Sequence, residues 1–234
     1  MSERQLRVEL AAACRLAARF GWQEAVANHF SLAVSDDGKS FLMNRRWRDF
    51  ATIRASDLAL LDVNAPELAD IDSTAWAIHG SLHRLLPQAR CVMHAHPPYA
   101  TALSTLQDPR LLPVDQTSAR FFNRVAIDED YGGFADNSAE GERLAATIGN
   151  RKILLMRNHG LMVTGATVAE VFDQLYHFER AARTLLLAYG SGQPVRVLDD
   201  EIDEKTARAW EAEPEFADEH FLQMCATLDP GYRD

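Results

Sequence analysis

The stretch Arg90-Cys91-Val92-Met93-His94-Ala95-His96-Pro97 carries the reading of the whole chain. It is a short apolar run that closes on two histidines two positions apart. Side chains at i and i+2 leave a strand on the same face, so the two imidazoles converge with little loop entropy to lose. A third histidine stands in Arg157-Asn158-His159-Gly160-Leu161, between two further apolar runs and beside a glycine that lets backbone approach closely. Three neutral imidazoles with one position left open form the ligand set of a catalytic zinc site, and the same set suits iron or manganese. A His-x-His pair by itself also occurs as ordinary surface polarity, so the pair needs its context.

Working outward, strands and helices alternate. Ser2 and Gln5 form a capping-box pair ahead of an Ala/Leu-rich helix that runs to Phe20 and ends at Gly21. His29–Val34 and Ser40–Asn44 read as a hairpin around Asp36-Asp37-Gly38, and Leu58–Asp62 as another short strand. Asp72 or Ser73 caps a helix that stops at Pro87, and Tyr99–Leu106 reads as helical. Residues 113–127 are ambiguous, with a strand expected near their end. Ser138 opens a helix to Gly149, strands flank Asn158-His159-Gly160, and Thr167 with Glu170 opens a long amphipathic helix to Tyr189 and Gly190. The remainder reads as mostly helical and divided by Pro214. No repeat or linker interrupts this alternation, which makes one α/β layered domain over residues 1–234, with its core at about 5–190 and a helical tail at 191–234.

Composition narrows the partners. The 234 residues hold 24 Lys+Arg against 34 Asp+Glu, a net charge of −10, which argues against a nucleic-acid partner or an electrostatic membrane anchor. No apolar run approaches the roughly 20 residues of a membrane span, and the first residues lack a signal-peptide pattern. Three widely separated cysteines, Cys14, Cys91 and Cys225, form no disulfide framework, so a cytoplasmic location is expected.

Taken in order, the His94-Ala95-His96 strand, the Asn158-His159-Gly160 turn, Ala27-Asn28-His29-Phe30-Ser31 and Asp115-Gln116-Thr117 with Arg120-Phe121-Phe122 resemble the class II aldolase/adducin superfamily, in its bacterial adducin-like branch. Metallo-β-lactamase and cupin patterns fail here, because Pro97-Pro98-Tyr99 and then Ala, Thr and Ala follow the pair. The resemblance implies an α/β/α three-layer sandwich with a central mixed, mostly antiparallel sheet. It implies a homo-oligomer, a tetramer or similar ring. It makes His94, His96 and His159 ligands of a divalent ion, zinc first, with iron, manganese or nickel as alternatives. A small-molecule substrate follows, and a lyase reaction in which the ion stabilises an enolate during retro-aldol cleavage or decarboxylation.

Two departures qualify it. Nineteen positions before His94, where family aldolases carry an acidic residue, stands Ala75. Decarboxylation forms an enolate without a base, and His79, common in the family near that position, is a replacement base or a group behind the ligands. Tyr131 falls where family enzymes carry a tyrosine proton donor. Asn28, Ser73 and Thr74 match phosphate-contacting positions. The family's Thr-Gly turn, however, is Asn44-Arg45-Arg46-Trp47-Arg48 here, with Trp47 in the glycine's place. Arg45 and Arg46 then suit a substrate carboxylate through forked hydrogen bonds, or else form a solvated turn. A non-catalytic, adducin-like assembly module and a mononuclear iron oxygenase are the competing readings on this scaffold.

Overall fold

The computed structural model describes residues 1–66, 68–130, 133 and 138–234, so Tyr131 lies outside the described residues. Helix α1 (Glu3–Phe20) starts where Ser2 Oγ accepts the Gln5 N–H at 3.3 Å and stops at left-handed Gly21. The reciprocal half of the capping box is not made, because the Gln5 amide turns instead to Glu9 at 3.1 Å. The hairpin forms as expected from β1 (His29–Ala33) and β2 (Ser40–Met43), and β3 (Ala59–Asp62) adds to its outer edge. Asp72 is the cap of α2 (Ser73–Leu85), accepting the N–H groups of Thr74 and Ala75. Strand β4 (Cys91–Ala95) and helix α3 (Pro98–Ser104) follow.

The ambiguous stretch resolves into α4 (Gln116–Ala119), four residues capped by Asp115, and then β5 (Val125–Asp128). Helix α5 (Ser138–Ile148) crosses to β6 (Ile153–Met156), which turns directly into β7 (Gly160–Gly165). The long helix α6 (Val168–Gly190) is capped by Thr167 Oγ1 on Glu170 N–H, while the Glu170 carboxylate bonds Ala166 N–H one residue before the cap. The tail folds into α7 (Asp200–Glu211) and α8 (Glu215–Cys225), with Pro214 between them. Among the described residues no helix is long and apolar enough to cross a membrane, and all three cysteines are free thiols.

The sheet order is β3-β2-β1-β4-β7-β6-β5, antiparallel at every pair except β5–β6, whose parallel pairing requires the crossover that α5 supplies. Helices cover both faces, so the strands are apolar almost throughout. On one face Phe30, Leu32, Met93, Leu161 and Val163 pack with α1, α3 and α6 in the main core. On the other, Val92, Leu154 and Met162 meet α2 and α5. Those two helices lie unusually close because Gly141 has no Cβ: one placed there would stand 2.3 Å from the Ala77 carbonyl oxygen. Helix α2 also faces β1, bringing His79 and His83 within hydrogen-bond reach of Ser31.

Candidate metal centre

The site grows from the middle of the sheet. Strand β1 pairs antiparallel with β4 so that His29 stands opposite His94, and β4 pairs with β7 so that Ala95 stands opposite Leu161. The β6–β7 turn is tight, and Asn158 takes left-handed backbone (φ 54°), a conformation asparagine tolerates better than bulkier residues. That turn delivers His159 to the end of β4. Gly160 is required beside it, since a Cβ there would fall 2.6 Å from His96 Cδ2 and 2.7 Å from the Ala95 carbonyl oxygen.

The structure brings His94, His96 and His159 together as expected, with one ring nitrogen of each within 4.8 Å of the others. Two of the rings are aimed by neighbours. His94 Nδ1 donates to the Leu161 carbonyl oxygen at 3.2 Å, and His96 Nδ1 donates to Glu24 Oε2 at 2.5 Å. Their Nε2 atoms then face each other at 3.1 Å. Two imidazole nitrogens committed in this way need a proton or a metal ion between them to make that contact favourable. Two nitrogens bound to one tetrahedral zinc at about 2.0–2.1 Å stand roughly 3.3 Å apart, so the spacing fits a shared ion. Burial holds His94 well below the usual imidazole range and pushes His159 down to about 4, and the neighbouring histidines add to both shifts. Neutral imidazoles are what a metal requires.

Behind this trio runs a buried chain. His29 lies against His94, ring centres 4.9 Å apart. Its Nδ1 is 2.7 Å from His79 Nε2, His79 Nδ1 is 2.5 Å from Ser31 Oγ, and Ser31 Oγ is 2.7 Å from His83 Nε2. His83 Nδ1 ends the chain on the Ala89 carbonyl oxygen at 2.8 Å. His79 is thus fully buried with both nitrogens engaged, and its hydrogen bond to His29 links it toward the trio. Ala75 is buried among Phe41, Met43 and Ile71, an apolar position with no chemistry of its own.

The other expected residues divide. Asn28 is buried, accepts the Glu24 N–H through Oδ1, and its Nδ2 has no hydrogen-bond partner among the described residues. Asn44 braces it, bonding the Asn28 carbonyl oxygen and the Phe30 N–H. Thr74 gives its hydroxyl to Asp72, and Ser73 stands on the first turn of α2, exposed to solvent. Arg45 is ion-paired with Asp70, and the Arg46 guanidinium lies 5.8 Å from the Trp47 ring centre. Trp47 occupies the glycine position of that turn with φ 63° and is 68% exposed.

Sequence reasoning missed Glu24, which lies in a loop 72 positions from the histidine it holds. It also missed a second cluster, Asp173, His177 and His220. Asp173 is fully buried, with Oδ1 on His220 Nδ1 at 2.7 Å and Oδ2 on Arg120 at 2.6 Å. A guanidinium already neutralises that carboxylate, so the cluster works as a clamp that joins α6 and α8 to the segment just after α4 rather than as a cation site. A separate cavity of about 750 Å³ lies beside the clamp, lined by Arg120, Arg124 and Trp210 among others, and contains none of the trio.

With the geometry in place, comparison with known proteins assigns the fold to a family. Residues 8–186 match the family described as Class II Aldolase and Adducin N-terminal domain. The crystal structure of an aldolase II superfamily protein from Pseudomonas syringae superposes with a TM-score of 0.90 at 30% identity, covering 100% of this chain and 98% of that one. The L-fuculose 1-phosphate aldolase of Glaciozyma antarctica shares the fold, with a TM-score of 0.86 at 23% identity over 99% and 93% of the two chains. An adducin-related protein of Schizosaccharomyces pombe is 32% identical over 182 residues, which are 74% of this chain and 55% of that protein's length.

Proposed function

The chain belongs to the class II aldolase and adducin family, and on that premise we propose that it is a metal-dependent carbon–carbon lyase acting on a small oxygenated carbonyl or carboxylate compound, by retro-aldol cleavage or decarboxylation. The observation that carries the reading is the trio itself: three imidazoles aimed at one point, one of them backed by the Glu24 carboxylate. Carboxylate–histidine pairs of this kind orient metal ligands and raise their basicity. A purely structural descendant has little need for such an arrangement.

His94, His96 and His159 hold the divalent ion, with zinc the first choice for a set of three neutral imidazoles. Bound there, the ion would supply Lewis acidity toward the substrate carbonyl. Asn28 offers Nδ2, a buried donor without a partner among the described residues, to an oxygen of the substrate. Arg45 reaches a substrate carboxylate only by releasing Asp70, and Arg46 and Ser73 line the outer approach. His79 acts through His29 rather than on substrate, and Tyr131 is retained as a candidate proton donor. We place the protein in the cytoplasm as one unit working as a homo-oligomer, a tetramer by the family resemblance. The three free thiols and the exposed Trp47, Leu187 and Leu222 support this placement.

The likeness to an adducin-related protein favours one second reading, a non-catalytic assembly module. Metal analysis of the purified native protein and of His94→Ala separates the two, followed by a panel of oxo-acids and aldols on the metal-loaded native form. One transition metal per chain in the native protein, absent from the variant, with turnover of a panel member, is the expected result. Absence of metal from both leaves the module reading standing.

A further inference from the structure

The chain from Ala89 to His29 has a direction that the chemistry of its two ends dictates. A backbone carbonyl only accepts, so His83 Nδ1, 2.8 Å from the Ala89 oxygen, carries a proton. His83 is buried and its basicity is pushed down to about 4, so the ring is neutral and its Nε2 is bare. Ser31 has a single hydroxyl proton and must donate it to that Nε2. Its oxygen then accepts from His79 Nδ1. His79, also neutral by burial, is left with a bare Nε2, and that nitrogen accepts from His29 Nδ1. Each bond forces the next, through four side chains that are 0–5% exposed. The single nitrogen left over is His29 Nε2, across its ring from His79 and at the strand position paired with His94.

We propose that Ser31, His79 and His83 form a one-way hydrogen-bond relay that locks His29 as the Nδ1–H tautomer, so that its bare Nε2 accepts a hydrogen bond from a hydroxyl of the substrate at the metal centre. The relay makes the site selective for hydroxyl-bearing ligands, such as 2-hydroxy acids, over analogues that lack the hydroxyl. Ser31, His79 and His83 are positioning residues, and His29 is the one that touches the ligand. The ligand half of this inference rests on the metal-centre reading, while the tautomer half rests on the hydrogen bonds alone.

The two halves are tested separately. Long-range proton–nitrogen NMR of the metal-free wild-type protein at neutral pH reads each ring's tautomer, and Nδ1–H is expected on His83, His79 and His29. A proton on Nε2 of His29 overturns the relay whatever the protein's function, and this measurement needs no variant to fold. In Ser31→Ala the pattern is expected to survive at His83 and to become mixed at His79 and His29, with Ser31→Thr restoring it. A fixed His29 tautomer in Ser31→Ala also overturns the relay. On zinc-loaded protein, the ratio of glycolate to acetate affinity is expected to fall about threefold to tenfold in Ser31→Ala, the worth of one hydrogen bond, and to recover in Ser31→Thr. An unchanged ratio overturns the ligand half. Failure of the wild type to bind zinc overturns the metal-centre reading and that half together, and leaves the tautomer result to stand by itself.

Discussion

The substitution Glu24→Gln isolates the least obvious part of the metal centre. The amide that replaces the carboxylate keeps its shape and an acceptor oxygen for His96 Nδ1 but removes the negative charge that now sits 2.5 Å away. Losing a group that orients a metal-bound histidine typically costs 10- to 100-fold in metal affinity. The Glu24 side chain is 70% exposed, so solvent screens part of its charge and the lower end applies. We expect zinc affinity to fall about tenfold, roughly 1.4 kcal/mol. Competition against a chromogenic chelator at about pH 7.5 measures this directly. Glu24→Asp, one methylene short of the ring, should fall by a comparable amount. The metal-free variant should unfold in urea within about 0.5 kcal/mol of wild type, because an exposed loop side chain contributes little to the core. A zinc affinity within about twofold of wild type would refute the argument, since Glu24 would then be an incidental neighbour of His96.

Three further outcomes follow from the same geometry. Gly160→Ala drives a Cβ into His96 and the Ala95 carbonyl oxygen, so calorimetry should show metal binding at least about tenfold weaker and urea melts a loss of about 1–3 kcal/mol. Stability of the metal-free protein should fall below about pH 6.5: His29, His83 and His159 titrate near 4 when folded but near 6.5 when unfolded, so at these groups only the unfolded chain takes up protons in that window, while Glu179, pushed up to about 7 by burial, takes one up in the folded chain and offsets one histidine. The expected slope is roughly 1 kcal/mol per pH unit for each histidine, flattening below about 4, and a level urea profile from about pH 7 to 5 would contradict the burial of the chain. Trp47→Gly relieves left-handed strain of about 1–2 kcal/mol at a cost of roughly 1 in chain entropy, so thermal melting should show no loss and up to about 1 kcal/mol of gain.

The parts of the site legible in the sequence were those set by short-range periodicity. His94 and His96 share a face because a strand repeats every two residues, and the Asn158-His159-Gly160 turn announces itself by the residues that tolerate its backbone. His79 and His83 are likewise neighbours on one helix turn, and His29 and Ser31 on one strand face. What the sequence did not disclose is that these two pairs meet, since that depends on how α2 packs on β1 some 50 positions away in the chain. Glu24 was invisible for a similar reason, because its loop turns through Ala25 in left-handed backbone (φ 49°), where no glycine or asparagine marks the bend. Helix α4, at four residues, is shorter than any helical repeat can signal. Arg45, expected to meet a substrate carboxylate or to sit in a solvated turn, is ion-paired with Asp70, which the sequence places 25 positions away.

The alternation of β1 and β4 has a consequence for how the protein is made. Met93 and Phe30 belong to the opposite face from His94 and His29, so a slip of one residue in either strand would bury a histidine in the main core and push an apolar chain among the imidazoles. A one-residue slip of β4 therefore turns His94 and His96 away from His159 and takes the trio apart. On the proposed reading of the trio, metal occupancy would then report the alignment of β4, and a metal-depleted fraction would include misassembled molecules as well as empty ones.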